Sequence, residues 1–201
     1  MSTAPLSGRR ADAVRNRSLA LEATTVLLAE PGATLTVDTI ARRAGLGAGT
    51  VVRAFGGKDA LVDAAVSGLL EPVVQRARDL LAETRPEQAL RTFLAELIAF
   101  QSAHHAINDQ LGGLDLPATT ALREQLVEVA QEMLTRGRAG GTIRADLDLS
   151  VTTTLIGETA YAVARAASPE VADAFVTVLL DGLRPAQAPA AKRPRGTGEP
   201  A

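Results

Sequence analysis

The sequence predicts an all-α protein: a three-helix head followed by a larger helical body. Three observations carry that expectation. Apolar residues recur at three- and four-residue steps through most of the 201 residues, the period of one helix face, and no segment keeps the two-residue alternation of a strand. Proline and glycine fall between these periodic segments, at Pro31-Gly32, Gly45, Pro86, Gly112-Gly113, Pro117 and Gly140-Gly141. The stretch from Thr36 to Asp59 reads as two short helices joined by a tight glycine turn, with a third helix directly behind it.

Taken in order, residues 1–8 are expected to be disordered. The first helix is expected to begin between Arg9 and Asp12 and to end at Ala29 or Glu30, before Pro31-Gly32. Its start is basic (Arg9, Arg10, Arg15, Arg17), suited to a nucleic-acid backbone or minor groove. In the organising stretch, Thr36 is a good N-cap, and Asp38 sits in the first turn, where a negative charge suits the helix dipole. Ile40, Ala41 and Ala44 share one face, and Gly45 supplies the left-handed residue that ends the helix. Leu46 returns to the core, followed by Ala48, Val51 and Phe55 at helical steps. A small residue at Ala41 lets the second helix cross closely, and Val51 seals the crossing. This is the pattern of a helix-turn-helix, whose second helix lies in the DNA major groove. Gly45-Leu46-Gly47-Ala48-Gly49 also has the composition of a phosphate-cradling loop. Such a loop follows a strand, however, and here an amphipathic helix precedes it; Gly56-Gly57-Lys58 lacks Walker spacing.

Residues 16 to 65 resemble the TetR family of transcriptional regulators. The resemblance rests on Ala20, Leu21, Ala23, Leu27, Leu28 and Gly32 before the motif. Within and after it stand Thr36, Ile40-Ala41, Ala44-Gly45, Gly49-Thr50, Arg53, Phe55 and Lys58-Asp59-Ala60-Leu61. It implies a head at residues 9–57 that binds double-stranded DNA, and a ligand-binding and dimerisation domain at 58–183. It also implies a ligand-responsive repressor that reads a palindromic operator as a homodimer. Gly47 is then the N-cap of the recognition helix, and Ala48, Gly49 and Thr50 meet base edges from its first turn. Thr36, Arg43, Arg53 and Lys58 are the expected phosphate contacts, with Lys58 opening a helix whose backbone amides add to its charge. Two positions depart from the family pattern. Val52 stands where a Tyr is usual, and Ala54 where a His or other polar ring is usual. Both normally touch phosphates, so a second reading stays open: a protein of this fold that binds a ligand or partner and holds DNA weakly.

The body continues with a helix from Lys58 to about Ala82, carrying Leu61, Ala65, Leu69, Val73, Ala77 and Leu80 on one face. Pro72 lies inside it and is expected to kink it. Pro86 is a good first residue for the next helix, with Leu90, Phe93, Leu94, Leu97, Ile98 and Gln101 as a wide stripe. A short segment with His104, His105 and Ile107 follows. The helix from Pro117 to about Gly137 carries Leu122, Leu126, Val129, Met133 and Leu134, and a loop spans Gly140 to Asp148. The last two helices, 149–166 and 169–183, are apolar over so wide an arc that each needs two buried sides. The second side is most simply another subunit, placing Leu155, Ile156, Phe175, Val178 and Leu179 at a dimer interface. The tail from Arg184, rich in Pro, Ala, Gly and basic residues, is expected to be disordered.

Composition sorts the remaining chemistry. There is no cysteine, which excludes disulfides, thiolate zinc sites and cysteine nucleophiles. No uncharged apolar run reaches membrane-spanning length and no signal segment opens the chain, so a soluble cytoplasmic protein is expected. Net charge is −2, but residues 1–58 carry eight Lys/Arg against four acids while residues 59–183 carry nine against eighteen. A basic head on an acidic body suits a DNA-binding module with a regulatory domain. The only histidines, His104 and His105, project about 100° apart on a helix and do not converge on a metal. No Ser/His/Asp arrangement or paired carboxylates stand at catalytic spacing. An enzyme is not expected, nor a cofactor or a metal. Phe93, Leu97, Phe100, Gln101, His104, Leu126 and Met133 are instead the expected lining of a mostly apolar pocket for a small apolar or amphipathic effector. The acidity of the body favours a neutral or cationic effector.

Overall fold

The computed structural model describes residues 6–30, 32–166 and 168–185, and every regular element among them is a helix. In order these are α1 (Leu6–Ala29), α2 (Val37–Ala44), α3 (Ala48–Phe55), α4 (Lys58–Glu83) and α5 (Pro86–Ala103). Then come α6 (His105–Gln110), α7 (Pro117–Ala139), α8 (Leu149–Ala166) and α9 (Pro169–Gly182). The first helix therefore starts earlier than expected, at Leu6, while residues 1–5 and 186–201 lie outside the described residues. Leu6 is the only apolar residue at positions 6–8, and no helical period of apolar residues marks that start. Residues 8–15 are solvent-exposed, so no packing pattern was written into this part of the helix.

Two apolar clusters hold the fold. The head cluster joins Ala20, Ala23 and Leu27 of α1, Ile40 and Ala41 of α2, Val51 of α3 and Leu61 of α4. The body cluster runs along α4 from Val62 to Leu80, through α5 and α7, to Ile156, Ala160 and Ala164 of α8 and Val176 of α9. Leu28 of α1 belongs to the body cluster, so α1 and α4 each pack into both. Pro72 lies on the exposed side of α4, which runs through it without a break. The carbonyl its ring leaves without a partner belongs to Gly68, which faces solvent.

Local chemistry fixes the head. The side chain of Thr36 accepts from Thr39 N at 3.1 Å, and Thr39 Oγ1 accepts in return from Thr36 N at 3.0 Å, so two of the first-turn amides are satisfied. Gly45 takes φ +67°, and Leu46 N donates to Ala41 O at 2.8 Å, which closes α2 and aims α3 across it. Arg17 Nη1 donates to Ala54 O at 2.9 Å, and its guanidinium lies 4.2 Å from the centre of the Phe55 ring. Arg17 therefore ties α1 to the end of α3 and is not a free basic group at the head's surface.

Candidate nucleic-acid interface and ligand cavity

The expected contact residues lie on α2 and its N-cap, α3, the turn between these helices and the start of α4, some exposed and some half-buried. Gly47 is the N-cap of α3 with extended backbone (φ −78°, ψ 142°), and no side chain makes a capping hydrogen bond to the first turn. Gly49 is exposed, and a Cβ there would stand 3.3 Å from Arg53 Nη1: the guanidinium lies back over the glycine. Arg53 Nη2 also donates to Thr50 Oγ1 at 3.2 Å. These two contacts hold the Arg53 charge beside the start of α3. Arg43 pairs with Glu30 at 2.9 Å, both side chains about half exposed, and an exposed pair of this kind yields to a stronger competitor such as phosphate. Lys58 is the first residue of α4 and stands 3.9 Å from Asp59. Thr36 is exposed, its hydroxyl engaged in the cap described above. Ala48 and Thr50 are half-buried. Arg42 was not among the expected contacts, yet it is exposed and has no carboxylate partner among the described residues. The signal was available in the sequence, since it precedes Arg43 on the last turn of α2. Val52 is exposed on α3 and offers only methyl groups at that surface.

In the body, a cavity of about 510 Å³ lies among α4, α5, α6, α7 and α8. Phe93, Leu97, Phe100, Gln101, His104 and Leu126 all line it, as expected. Met133 does not. It is fully buried in the body core, on nearly the same face of α7 as Leu126 but two turns farther along, where it packs into the core and not at the cavity wall. Sequence reasoning missed the walls supplied by Val66, Leu69 and Leu70 of α4 and by Thr153, Ile156 and Tyr161 of α8. Of these only Leu69 and Ile156 stood out in the apolar periodicity, which does not say what a residue encloses.

Polar groups in the wall are few. His104 Nδ1 lies 2.8 Å from the Phe100 carbonyl, which can only accept, so the proton sits on Nδ1 and a neutral ring leaves Nε2 as an acceptor. The Phe100 and His104 rings pack at 4.4 Å. The Gln101 Oε1 atom is buried with no hydrogen-bond partner. Among the described residues Arg123 is the only charged one in the wall; it is exposed, and its Nη2 donates to Asn108 Oδ1 at 3.1 Å. Among the described residues no carboxylate lines the cavity, so the acidity of the body does not carry into this wall. The expectation of a neutral or cationic effector is not supported by this wall. Among the described residues no group of three His, Asp or Glu side chains is placed to hold a metal ion.

On the far side, the expected interface residues divide. Leu155 is 60% exposed and Val178 72% exposed, with Val151 and Val171 also facing solvent. Phe175 and Leu179 are half-buried against the subunit's own core. Ile156 corrects the expectation: it is 5% exposed, belongs to the body core and lines the cavity. One residue along the helix turns the side chain by about 100°, so it cannot share the outward face of Leu155.

Comparison with known proteins supports the same assignment. Residues 20–65 match the family described as bacterial regulatory proteins, tetR family, and residues 85–185 match the C-terminal domain of SbtR-like transcriptional regulators. No curated protein matches the chain significantly. Among solved structures, a TetR transcription regulatory protein from Mycobacterium vanbaalenii is 36% identical, with 87% of this chain and 98% of that one covered and a TM-score of 0.59. A TetR transcriptional regulator from Streptomyces coelicolor is 27% identical over 85% of this chain and 99% of that one, with a TM-score of 0.61. The transcriptional regulator FadR from Bacillus subtilis, solved in complex with stearoyl-CoA, is 18% identical over 83% of this chain and 96% of that one. Its TM-score is 0.69, and at that identity the likeness bears on the fold alone. With a helix-turn-helix head, a helical body and matches over nearly the whole described chain, the protein belongs to the TetR family and is a DNA-binding transcriptional regulator.

Proposed function

We propose that the protein is a ligand-responsive repressor that reads a palindromic operator as a homodimer and senses a small amphipathic effector in the body cavity. The observation that carries this reading is where the cavity lies. Its wall includes Val66, Leu69 and Leu70 of α4, the helix whose first turn buries Leu61 in the head. A ligand that moves this wall acts on the same rigid element that seats the reading head. The functional division is then a DNA-binding unit at residues 9–57 and a sensing and dimerising unit at 58–183, with Leu61 as the point where they interlock. In the head, Gly47, Ala48, Gly49 and Thr50 face the bases, while Thr36, Arg43, Arg53 and Lys58 hold phosphates. The second subunit covers the outward stripes of α8 and α9, an apolar patch of the kind that marks an interface. Sequence selection from a random duplex pool followed by fluorescence anisotropy tests the reading. A two-fold symmetric site should emerge, and apolar ligands that occupy the cavity should change its affinity. Selection that enriches no sequence, with only weak salt-sensitive binding to all duplexes, favours the second reading of a fold that binds a ligand and holds DNA weakly.

A further inference from the structure

We infer that the effector is an apolar carboxylic acid carrying one hydroxyl group along its apolar body: the acid is read by Arg123, the hydroxyl by Gln101. This rests on the reading of the cavity as the effector site. The volume of about 510 Å³ falls within the range, on the order of 300–1,000 Å³, that encloses a drug-sized ligand, and most of the wall is aliphatic or aromatic. Among the described residues, charge in the cavity wall comes from one side chain. Arg123 is exposed, so it stands at the mouth, and no carboxylate among the described residues lies within ion-pair distance of it. Its one side-chain bond goes to Asn108, which leaves the rest of the guanidinium fork for a two-oxygen anion. A cationic head group would meet this guanidinium with no acid in the wall to offset it.

The second group is deeper. Gln101 is part of the wall and its amide oxygen is buried with no partner, an arrangement that costs stability until the side chain turns to a group that donates to it. The amide can also stand reversed, in which case the buried group is a donor that needs an acceptor. A hydroxyl satisfies either orientation, because it both donates and accepts. His104, three residues on along the same wall and fixed by the Phe100 carbonyl, offers Nε2 as a further acceptor. One anionic end at the mouth and one hydroxyl inside is thus the polar pattern that the wall matches.

Displacement of Nile red, a neutral apolar dye, from the full-length protein tests this with two skeletons. One is 12-hydroxyoctadecanoic acid with its methyl ester and its deoxy analogue; the other is lithocholic acid, a steroid acid with a single hydroxyl, with its methyl ester. In at least one skeleton the acid should bind about tenfold tighter than its ester, as a charge-assisted hydrogen bond supports. The hydroxylated octadecanoic acid should bind more tightly than octadecanoic acid by a similar factor. Arg123→Gln should abolish the acid-over-ester ratio and keep the hydroxyl preference; Gln101→Leu should do the reverse. Each ratio is taken within one variant, so a general loss of affinity cannot imitate the result. Equal binding of acid and ester in both skeletons, or a loss of both preferences in either variant, overturns the inference while the cavity remains a ligand site. If neither Nile red nor any of these compounds binds, the cavity is no effector site and the proposed function falls with it.

Discussion

Helix α7 opens on Leu116-Pro117 and brings no capping side chain of its own; the cap comes from Asp63, in the second turn of α4. One carboxylate oxygen accepts from Ala118 N at 2.9 Å, and the other from Thr119 N at 2.8 Å and Thr119 Oγ1 at 2.7 Å. Burial pushes this carboxyl up, but the bonds from the Thr119 side chain and the two backbone amides outweigh it and hold the group below its ordinary value of 3.8. A carboxyl whose folded value is depressed stabilises the fold above the unfolded value and loses that contribution as pH falls through the folded one. Asp63→Asn should therefore cost about 1–3 kcal/mol at neutral pH, the range for disturbing a buried hydrogen-bonded group. Its deficit should narrow as pH drops below 3.8, where the parent carboxyl takes up its own proton. Urea midpoints for both proteins across that interval check this, and a deficit that does not change with pH would show that the charge is not what α7 uses. Val52 and Ala54 make a second case at this scale. If the proposed docking is right, Val52→Tyr with Ala54→His should tighten binding to operator and random duplex alike, since phosphate contacts position rather than specify. Lys58→Ala should weaken both and reduce the salt slope by about one contact. Anisotropy with both duplexes at several salt concentrations reads the pair. No gain from the double substitution, alongside the expected Lys58→Ala loss, would mean that α3 enters the groove another way.

Between residue and molecule, the helices were legible where glycine or proline closes them. Pro86, Pro117 and Gly45 mark the ends of α5, α7 and α2 as the periodicity expects, because each either lacks an amide hydrogen or reaches the left-handed region without strain. What periodicity could not say is which side of a broadly apolar helix meets which neighbour. Met133 and Ile156 were both correctly expected to be buried and both given the wrong surroundings, since a wide apolar arc has no marked direction. Asp63 was invisible for a related reason: its partners lie 55 and 56 residues away, and no local pattern announces a cap lent by another helix. Gly137 is a contact of the same kind. It is buried on α7, and a Cβ there would come within 2.5 Å of Ile143 Cδ1 and 3.3 Å of Ile143 Cβ, while its carbonyl accepts from Thr142 and Ile143 amides. Ile143 thereby folds the loop after α7 back on the helix. Alanine is the better helix former by about 1 kcal/mol, yet overpacking here should win, so Gly137→Ala should destabilise by about 1–2 kcal/mol net. Thermal denaturation checks the sign; a rise in melting temperature would mean that Ile143 has room to move.

At the scale of the whole molecule, the proposed two-fold assembly makes a claim that the isolated subunit does not share. Leu155 at 60% exposure and Val178 at 72% contribute little to the subunit's own core, so arginine at either place stays solvated in a monomer. Across a two-fold axis the same arginine would be buried twice, once from each copy. Breaking an apolar contact with an unpaired buried charge costs about 3–5 kcal/mol, a dissociation constant raised by roughly two to three powers of ten or more. Leu155→Arg and Val178→Arg should therefore leave helical content and the urea midpoint of the monomer near parent values while shifting sedimentation from dimer to monomer at micromolar concentration. Binding to the selected operator should fall with it, because each half-site is then held by one head alone and the linkage between the two is lost. The same experiment separates assembly from folding: a variant that loses helix along with the dimer has damaged the subunit and says nothing of the interface. If the parent protein itself sediments as a monomer under these conditions, the outward stripes of α8 and α9 are not joined by a second copy. The palindromic operator then has no two-fold protein to read it.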